Sequence, residues 1–205
     1  MTKSDLRKQI KKKLIDTKPS LENFSQEICK IIINSDLYKK SQIILAYMAL
    51  ADEVNLAPLI RQAVNDGKKI YLPRISPDSP QMDFFRYQPE NPFFINQYGI
   101  KEPEEKGEKF EIKNPNDYGT DDNILILTPG RAFSLNGARL GRGKGYYDRF
   151  FTKILGLSRN QKITIAGVCF SLQIVENIPT EPHDIKMDYL ICEKGVKKTS
   201  TCFVD

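Results

Sequence analysis

The chain has 205 residues, 40% of them apolar and 28% charged, a composition typical of one soluble globular domain. It contains one histidine and four separated cysteines without a C-x-x-C pair, which disfavours a structural zinc site, a haem site and a Cys–His nucleophile. No stretch approaches the roughly 18 apolar residues of a membrane helix, and no secretory signal is visible, so we expect a cytoplasmic protein.

Helical and strand patterns alternate along the first half. Leu6, Ile10 and Leu14 recur at intervals of four, which predicts a helix over 4–15 with Ser4 as its cap. The elements predicted after it are a helix from Ser20, a strand at 43–49, a helix from about Asn55 to Gly67, a strand at 69–74 and an antiparallel strand at 82–87.

The second half begins with a stretch at 88–122 that is rich in Pro, Asn, Gly and acidic residues. We expect it to be a loop-rich excursion with little regular structure. NILILTP (123–129) is the clearest strand of the chain. A helix from Tyr146 to Gly156 and strands at 162–170 and 187–193 complete the prediction.

Strands that are apolar on both sides and alternate with helices predict an α/β fold. We expect a single domain over 1–205, with a mostly parallel sheet and helices on both faces, a Rossmann-like three-layer sandwich. Ligands in such folds bind beyond the carboxyl ends of the strands. The stretch LGRGKGYYDR (140–149) follows the 123–129 strand and leads into a helix, so it lies where the fold places a site.

This glycine-rich stretch is neither a Walker A loop nor a G-x-G-x-x-G fingerprint. Its glycines nevertheless allow the backbone to approach an anion, and Arg142 and Lys144 supply positive charge at a helix N-terminus. Phosphate binding is therefore favoured over the alternative of a basic turn without a ligand. Asp148 is either an ordinary first-turn acid or, beside a polyphosphate, a ligand of Mg²⁺.

The segment LNGARLGRGKGYYDRF (135–150) resembles the signature of the 5-formyltetrahydrofolate cyclo-ligase family, also called methenyltetrahydrofolate synthetases. The resemblance extends along nearly the whole chain through a basic N-terminal helix and the shorter motifs YMALADEV (47–54), GKKIYLPR (67–74), GIKEP (99–103) and EPHDIKMD (181–188). PGRAFS (129–134) departs from the family pattern, with Ser134 in place of an aspartate and Arg131 in place of an apolar residue.

The resemblance implies an ATP- and Mg²⁺-dependent conversion of 5-formyltetrahydrofolate to 5,10-methenyltetrahydrofolate. Phosphoryl transfer to the formyl oxygen creates a leaving group, and N10 of the substrate closes the ring. The protein then supplies positioning and charge stabilisation rather than a nucleophile. We expect a monomer that acts on small molecules, without nucleic-acid or membrane partners.

The resemblance also implies the roles of individual residues. The residues implied to bind ATP are Lys3, Arg7, Arg139, Gly141, Arg142, Gly143, Lys144, Gly145 and Tyr147, and Arg142 and Lys144 among them are expected to be catalytic. Those implied to bind folate are Met48, Glu53 and Tyr146, and those implied to hold Mg²⁺ are Asp148 and Asp184.

Structural alternatives stay open for several of these residues. Lys3 and Arg7 also fit a solvated helix face, and Met48 and Tyr147 also fit a core. Asp184 also fits the role of a turn residue, and Glu53 also fits that of a surface acid. We expect the single histidine, His183, to be a loop residue rather than a catalyst.

Two other functions remain open. An RNA-binding module would use the basic stretches and the tyrosines. A sugar-phosphate isomerase or acyl-CoA transferase would not need ATP, so dependence on nucleotide separates these classes.

Overall fold

A computed structural model describes residues 1–76, 81–90, 93–95, 101–103, 107–112, 123–157, 162–181 and 184–199. The helices are α1 (Lys3–Asp16), α2 (Leu21–Asn34), α3 (Asp36–Lys40), α4 (Ala57–Asn65) and α5 (Tyr146–Leu157). The strands are β1 (Ser41–Leu45), β2 (Lys69–Ile75), β3 (Met82–Arg86), β4 (Phe93–Ile95), β5 (Lys101–Pro103), β6 (Asn123–Thr128), β7 (Ala132–Ser134), β8 (Arg139–Leu140), β9 (Ile163–Val168), β10 (Ile174–Val175), β11 (Tyr189–Cys192) and β12 (Gly195–Lys198). None of the helices in these ranges combines the length and the apolar character that crossing a bilayer requires.

The main sheet has seven strands in the order β12-β11-β9-β6-β1-β2-β3. The five inner strands are parallel, and the two edge strands, β3 and β12, are antiparallel to their neighbours. Because β1 pairs with β2 on one side and with β6 on the other, the winding of the chain reverses between β1 and β6. This reversal leaves a crevice at their carboxyl ends, the usual ligand position in such sheets.

Helices cover both faces of this sheet, as predicted. Ile44 and Leu125 belong to the apolar cluster that includes α1, α2 and α4. Their neighbours Ile43 and Ile124 point to the opposite face and pack in the cluster that includes α5. Since side chains alternate along a strand, burial on both faces requires apolar residues at every position, which explains the continuous apolar strands. The predicted α/β fold is confirmed.

Two local predictions were wrong. The N-cap of α1 is Thr2, which forms a reciprocal capping box with Asp5, so Ser4 lies inside the helix. The apolar run at 43–49 leaves the sheet after Leu45. In the predicted excursion at 88–122, the described residues include a short antiparallel pair, β4 and β5, and Lys109, which forms a bridge with Phe85 outside it. The loop-rich character of this segment stays a prediction. Residues 91–92, 96–100, 104–106 and 113–122 of that excursion lie outside the described residues.

A second, small sheet separates β6 from the glycine-rich stretch and was not predicted. β7 and β8 form an antiparallel hairpin, and β10 pairs with β7 in parallel. Ser134 is buried in this hairpin, where its hydroxyl donates to Asn136 Oδ1 at 2.6 Å. The same Oδ1 accepts from the backbone N–H of Ala138 at 3.2 Å. Ser134, the last residue of β7, therefore stabilises the turn that leads to β8.

Candidate active site

The glycine loop, residues 141–145, connects β8 to the N-terminus of α5. Gly143 has φ of 99° and Gly145 has φ of 67°, both in the left-handed region that side chains disfavour. A Cβ atom on Gly145 would lie 2.8 Å from Nη1 of Arg149. The loop therefore depends on glycine, and it presents bare backbone at the positive end of a helix dipole, which suits an anion.

Helix α1 contacts this loop although the two are far apart in sequence. Nε of Arg7 donates to the carbonyl oxygen of Gly141 at 2.9 Å, and the Arg7 guanidinium lies against Gly143. Lys144 extends to the exposed side of the loop, and its ammonium group makes no ion pair within the described ranges. The structure thus brings Arg7 together with the loop and leaves Lys144 accessible to a ligand.

Arg139 lies beneath the loop and is nearly completely buried. Its side chain is 4% exposed, and its Nη2 donates to Oδ1 of Asp148 at 2.8 Å. The guanidinium stacks over the ring of Tyr147, with the carbon 5.3 Å from the ring centroid. Tyr147 itself packs against Phe84 and Phe151. These contacts are those of a core residue, and a contact of Tyr147 with ATP stays a prediction.

Arg142 points from the loop into the crevice between β1 and β6, where it contacts two adjacent carboxylates. Its Nε donates to Oε1 of Glu53 at 2.9 Å, and its Nη2 lies 2.8 Å from the same oxygen. Nη2 also pairs with Asp52, which in turn pairs with Arg131. The site therefore contains an ion cluster of two acidic and two basic side chains: Asp52, Glu53, Arg131 and Arg142.

The charges in this cluster stabilise one another. Burial alone would raise the pKa of Asp52, but hydrogen bonds and charge from Arg131 and Arg142 outweigh it and lower that pKa below 3.8. Burial would likewise lower the pKa of Arg142, yet Glu53 and Asp52 raise it. The carboxylate of Asp52 and the guanidinium of Arg142 are therefore ionised at neutral pH.

Tyr47 follows β1 and places a buried hydroxyl beside the cluster. This oxygen has no hydrogen-bond partner within the described residues. Burial, followed by the charge of Glu53, raises the pKa of Tyr47 well above its ordinary value. The tyrosine is therefore neutral and supplies a polar group to an otherwise apolar wall.

Met48 lines a cavity on the α4 side of the sheet. The cavity has a volume of about 360 Å³. Its lining residues are Met48, Ala57, Ile60, Arg61, Val64, Asn65, Tyr87, Pro89 and Phe93. The rings of Tyr87 and Phe93 stack with centroids 5.5 Å apart and an interplanar angle of 29°. Such a lining suits a flat aromatic ligand.

The two predicted metal ligands each pair with a basic side chain. Asp148 pairs with Arg139, and Nζ of Lys3 lies 3.0 Å from Oδ2 of Asp184. No three histidine, cysteine, aspartate or glutamate side chains of the described residues converge on one point, and His183 is outside them. Two separate carboxylates do fit a Mg²⁺ ion that is held mainly by phosphate oxygens and water.

Tyr146 is the last of the predicted folate residues. It is partly buried at the start of α5, and the guanidinium of Arg149 lies 5.4 Å from its ring centroid. Arg149 also donates to the carbonyl oxygen of Lys144 at 2.8 Å, which fixes the arginine against the glycine loop. Tyr146 is thus part of the loop's border, and its contact with folate stays a prediction.

Sequence reasoning missed Tyr47, Asp52 and Arg131 as site residues. Each of them follows the carboxyl end of β1 or β6 within seven residues. That position is a usable signal, because ligands bind at the carboxyl ends of parallel strands. The adjacency of β1 and β6, which brings Arg131 to Asp52, is not visible in a local sequence pattern.

Fold and site together define a doubly wound α/β protein with a basic glycine loop and an acidic pair at the reversal point of its sheet. The model of the 5-formyltetrahydrofolate cyclo-ligase family matches residues 1–193. The chain belongs to this family and is an enzyme. The resemblance seen in the motifs is confirmed.

Three known relatives match this chain over more than nine-tenths of their own length. The 5-formyltetrahydrofolate cyclo-ligase of Saccharomyces cerevisiae is 29% identical over 95% of this chain and 96% of its own. A probable 5-formyltetrahydrofolate cyclo-ligase of Caenorhabditis elegans is 32% identical over 93% of this chain and 92% of its own. The NMR structure of Aquifex aeolicus 5,10-methenyltetrahydrofolate synthetase superposes with a TM-score of 0.75 at 31% identity, covering 97% of this chain and 93% of that one.

Proposed function

We propose that this enzyme converts 5-formyltetrahydrofolate to 5,10-methenyltetrahydrofolate with consumption of ATP in the presence of Mg²⁺. The observation that carries the proposal is the contact between the glycine loop and the acidic pair, where Arg142 meets Glu53 at 2.9 Å. The loop suits phosphate oxygens, and a carboxylate suits the donor edge of a pterin. Family membership supports the reaction class.

The nucleotide side would be built on the glycine loop and the N-terminus of α5. Backbone N–H groups of Gly143 and Gly145 would contact phosphate oxygens, while Lys144 and Arg142 would stabilise charge on the migrating phosphoryl group. Arg7 holds the loop through the carbonyl of Gly141. The further residues proposed on this side are Lys3, Arg139, Gly141 and Tyr147.

Asp148 and Asp184 would hold a Mg²⁺ ion against the phosphates. When bound, such an ion neutralises charge on phosphate oxygens and orients them for transfer. Both carboxylates currently neutralise basic residues of the nucleotide side, Arg139 and Lys3. They therefore lie beside groups that we assign to ATP, which supports their role in holding a nucleotide-bound ion.

The folate side would lie in the crevice and the adjoining cavity. Glu53 has one oxygen, Oε2, fixed by the N–H of Leu50 at 3.0 Å, so its carboxylate is oriented before the ligand arrives. Oε1 would accept from the pterin, and Met48 and Tyr146 would contact its rings. The stacked pair Tyr87 and Phe93 extends this apolar surface.

The chemistry then requires positioning rather than a protein nucleophile. The formyl oxygen attacks the γ-phosphorus and ADP leaves, so that a poor leaving group becomes a phosphate. N10 of the substrate attacks the activated carbon, the C–O bond breaks with release of phosphate, and N10 loses its proton. Binding both substrates in register supplies most of the acceleration.

The test is absorbance during mixing of the purified protein with 5-formyltetrahydrofolate, Mg²⁺ and ATP, because the methenyl product absorbs where the substrate does not. We expect the band to grow only with ATP. Lys144→Ala should reduce the rate by about 100-fold or more without changing thermal stability. Lys197→Ala, an exposed lysine on the edge strand β12, is the matched control and should retain full activity. ATP binding without any product band would reject the proposed reaction.

A further inference from the structure

One guanidinium connects the two proposed ligand sites. Arg142, assigned above to phosphate, makes its hydrogen bond to Glu53, assigned above to the pterin, at 2.9 Å. The Glu53 side chain is only 9% exposed, and its Oε1 lies 2.9 Å from Nε and 2.8 Å from Nη2 of Arg142. In this arrangement neither group can bind its proposed ligand fully while the pair stays intact.

We infer that nucleotide and folate binding are positively coupled through the Arg142–Glu53 ion pair, an inference that rests on the proposed function. Phosphate oxygens compete with the carboxylate for the guanidinium, and Arg suits both because its planar fork fits either anion. Movement of Arg142 onto the phosphates releases Oε1 of Glu53. Oε2 stays fixed by the N–H of Leu50, so the released carboxylate is already oriented for the pterin.

Asp52 and Arg131 allow Arg142 to move from the carboxylates to phosphate without leaving an unpaired charge. If Arg142 moves, Asp52 keeps its ion pair with Arg131, whose side chain is 13% exposed. Asp52 therefore stays neutralised and does not repel the incoming phosphates. Arg131 and Asp52 act in this scheme as positioning residues, since they act through Arg142.

Coupling between two sites is reciprocal, so each ligand must raise the affinity for the other by the same factor. The ion pair is partly exposed, and we expect a factor of about five to ten, at the lower end of the usual range. Removal of either Arg142 or Glu53 should abolish this mutual increase in affinity. It should also strengthen binding of the ligand whose group has been released.

Calorimetry of the full chain tests the inference. The dissociation constant of 5-formyltetrahydrofolate is measured with Mg²⁺ alone and with Mg²⁺ plus saturating β,γ-methylene ATP, which cannot transfer its phosphoryl group. In the wild type we expect folate to bind about five- to tenfold more tightly with the analogue. In Arg142→Gln we expect equal folate affinities with and without it, and tighter folate binding than the wild type when the analogue is absent.

The reciprocal variant checks the same ion pair from the other side. Glu53→Gln should bind the analogue about fivefold more tightly than the wild type, because Arg142 is no longer shared. Glu176→Gln removes the same charge at an exposed position and should leave the affinity for the analogue unchanged. If Glu53→Gln and Glu176→Gln both bound the analogue more tightly by the same factor, net charge would be the cause and the inference would be overturned.

The outcomes separate this inference from the proposed function. Binding of both ligands by the wild type with independent affinities overturns the coupling alone. Coupling that persists in Arg142→Gln also overturns it, because direct contact between the two ligands would then be the cause. A wild type that binds no analogue at all rejects the proposed function together with the inference.

Discussion

The two aspartates proposed to hold Mg²⁺ differ in how the protein neutralises them. Asp148 pairs with Arg139, nine residues away along the chain, and the arginine side chain is 4% exposed. Asp184 pairs with Lys3, 181 residues away, and the lysine side chain is 27% exposed. One pair lies beneath the glycine loop, and the other holds the start of α1 to the C-terminal part of the chain.

This difference in the burial of the two cations predicts different roles for the two ion pairs. A buried ion pair contributes to a unique local structure, and removal of one partner leaves an uncompensated charge. An ion pair whose cation is more accessible contributes less to stability, because water solvates the charged groups when they separate. We therefore expect the Arg139 pair to maintain the fold of the loop, and the Lys3 pair to be exchanged readily for ligand contacts.

The largest effect should follow from Arg139→Met, which removes the buried cation and its stacking on Tyr147. We expect the free energy of unfolding to fall by about 2–4 kcal/mol, since Asp148 loses its partner while it stays only partly solvated. Urea denaturation measures the change. Arg139→Lys keeps the positive charge but lacks the planar guanidinium. Its free energy of unfolding should lie between that of the wild type and that of Arg139→Met. A loss below about 0.5 kcal/mol would mean that the pair behaves like a surface ion pair.

Substitution of Asp52, which pairs with two arginines at the crevice, should have an intermediate effect on the free energy of unfolding. Because its pKa is lowered in the folded protein, the carboxylate stabilises the fold above pH 3.8 and loses that contribution as the pH falls through the lowered pKa. Asp52→Asn should therefore be less stable than the wild type by about 1 kcal/mol at neutral pH.

The comparison is made by urea denaturation of both proteins between about pH 7 and pH 2.5. The two stability curves should converge as the pH falls below 3.8. Glu176→Gln serves as the control for an exposed acid. If the free energies of unfolding of the wild type and Asp52→Asn differed by the same amount at every pH, titration of Asp52 would be excluded as the cause.

Much of the fold could be predicted because its strands are buried on both faces. NILILTP has four consecutive apolar residues and the 69–74 run has three, Ile70 to Leu72, and such uninterrupted apolar stretches are typical of inner parallel strands. The run at 43–49 misled the prediction for a physical reason. Pairing with β2 and β6 ends at Leu45, but the apolar residues continue because Tyr47 and Met48 line the crevice and the cavity. Strands as short as β7, β8 and β10 give no periodicity to detect.

Without the family resemblance, residue patterns predict only the local part of the candidate site. The glycine loop is recognisable because its chemistry lies within ten consecutive residues. Arg142 meets its acidic partners 89 and 90 residues away, and Arg131 meets Asp52 across 79 residues. These contacts depend on the neighbouring positions of β1 and β6 in the sheet, which only the folded structure supplies.

The smallest effect on stability should come from Lys3→Ala, which tests the ion pair with the more accessible cation. Its two carboxylate partners, Glu181 and Asp184, each lie 3.0 Å from Nζ, and solvent reaches the pair. We expect the free energy of unfolding to change by less than about 1 kcal/mol, while the dissociation constant for β,γ-methylene ATP rises several-fold. Lys8→Ala is the matched control, because Lys8 is an exposed lysine of the same helix. Equal weakening in both variants would mean that the helix attracts nucleotide only through its overall charge. A selective loss in Lys3→Ala would show that its ammonium group exchanges carboxylates for phosphate.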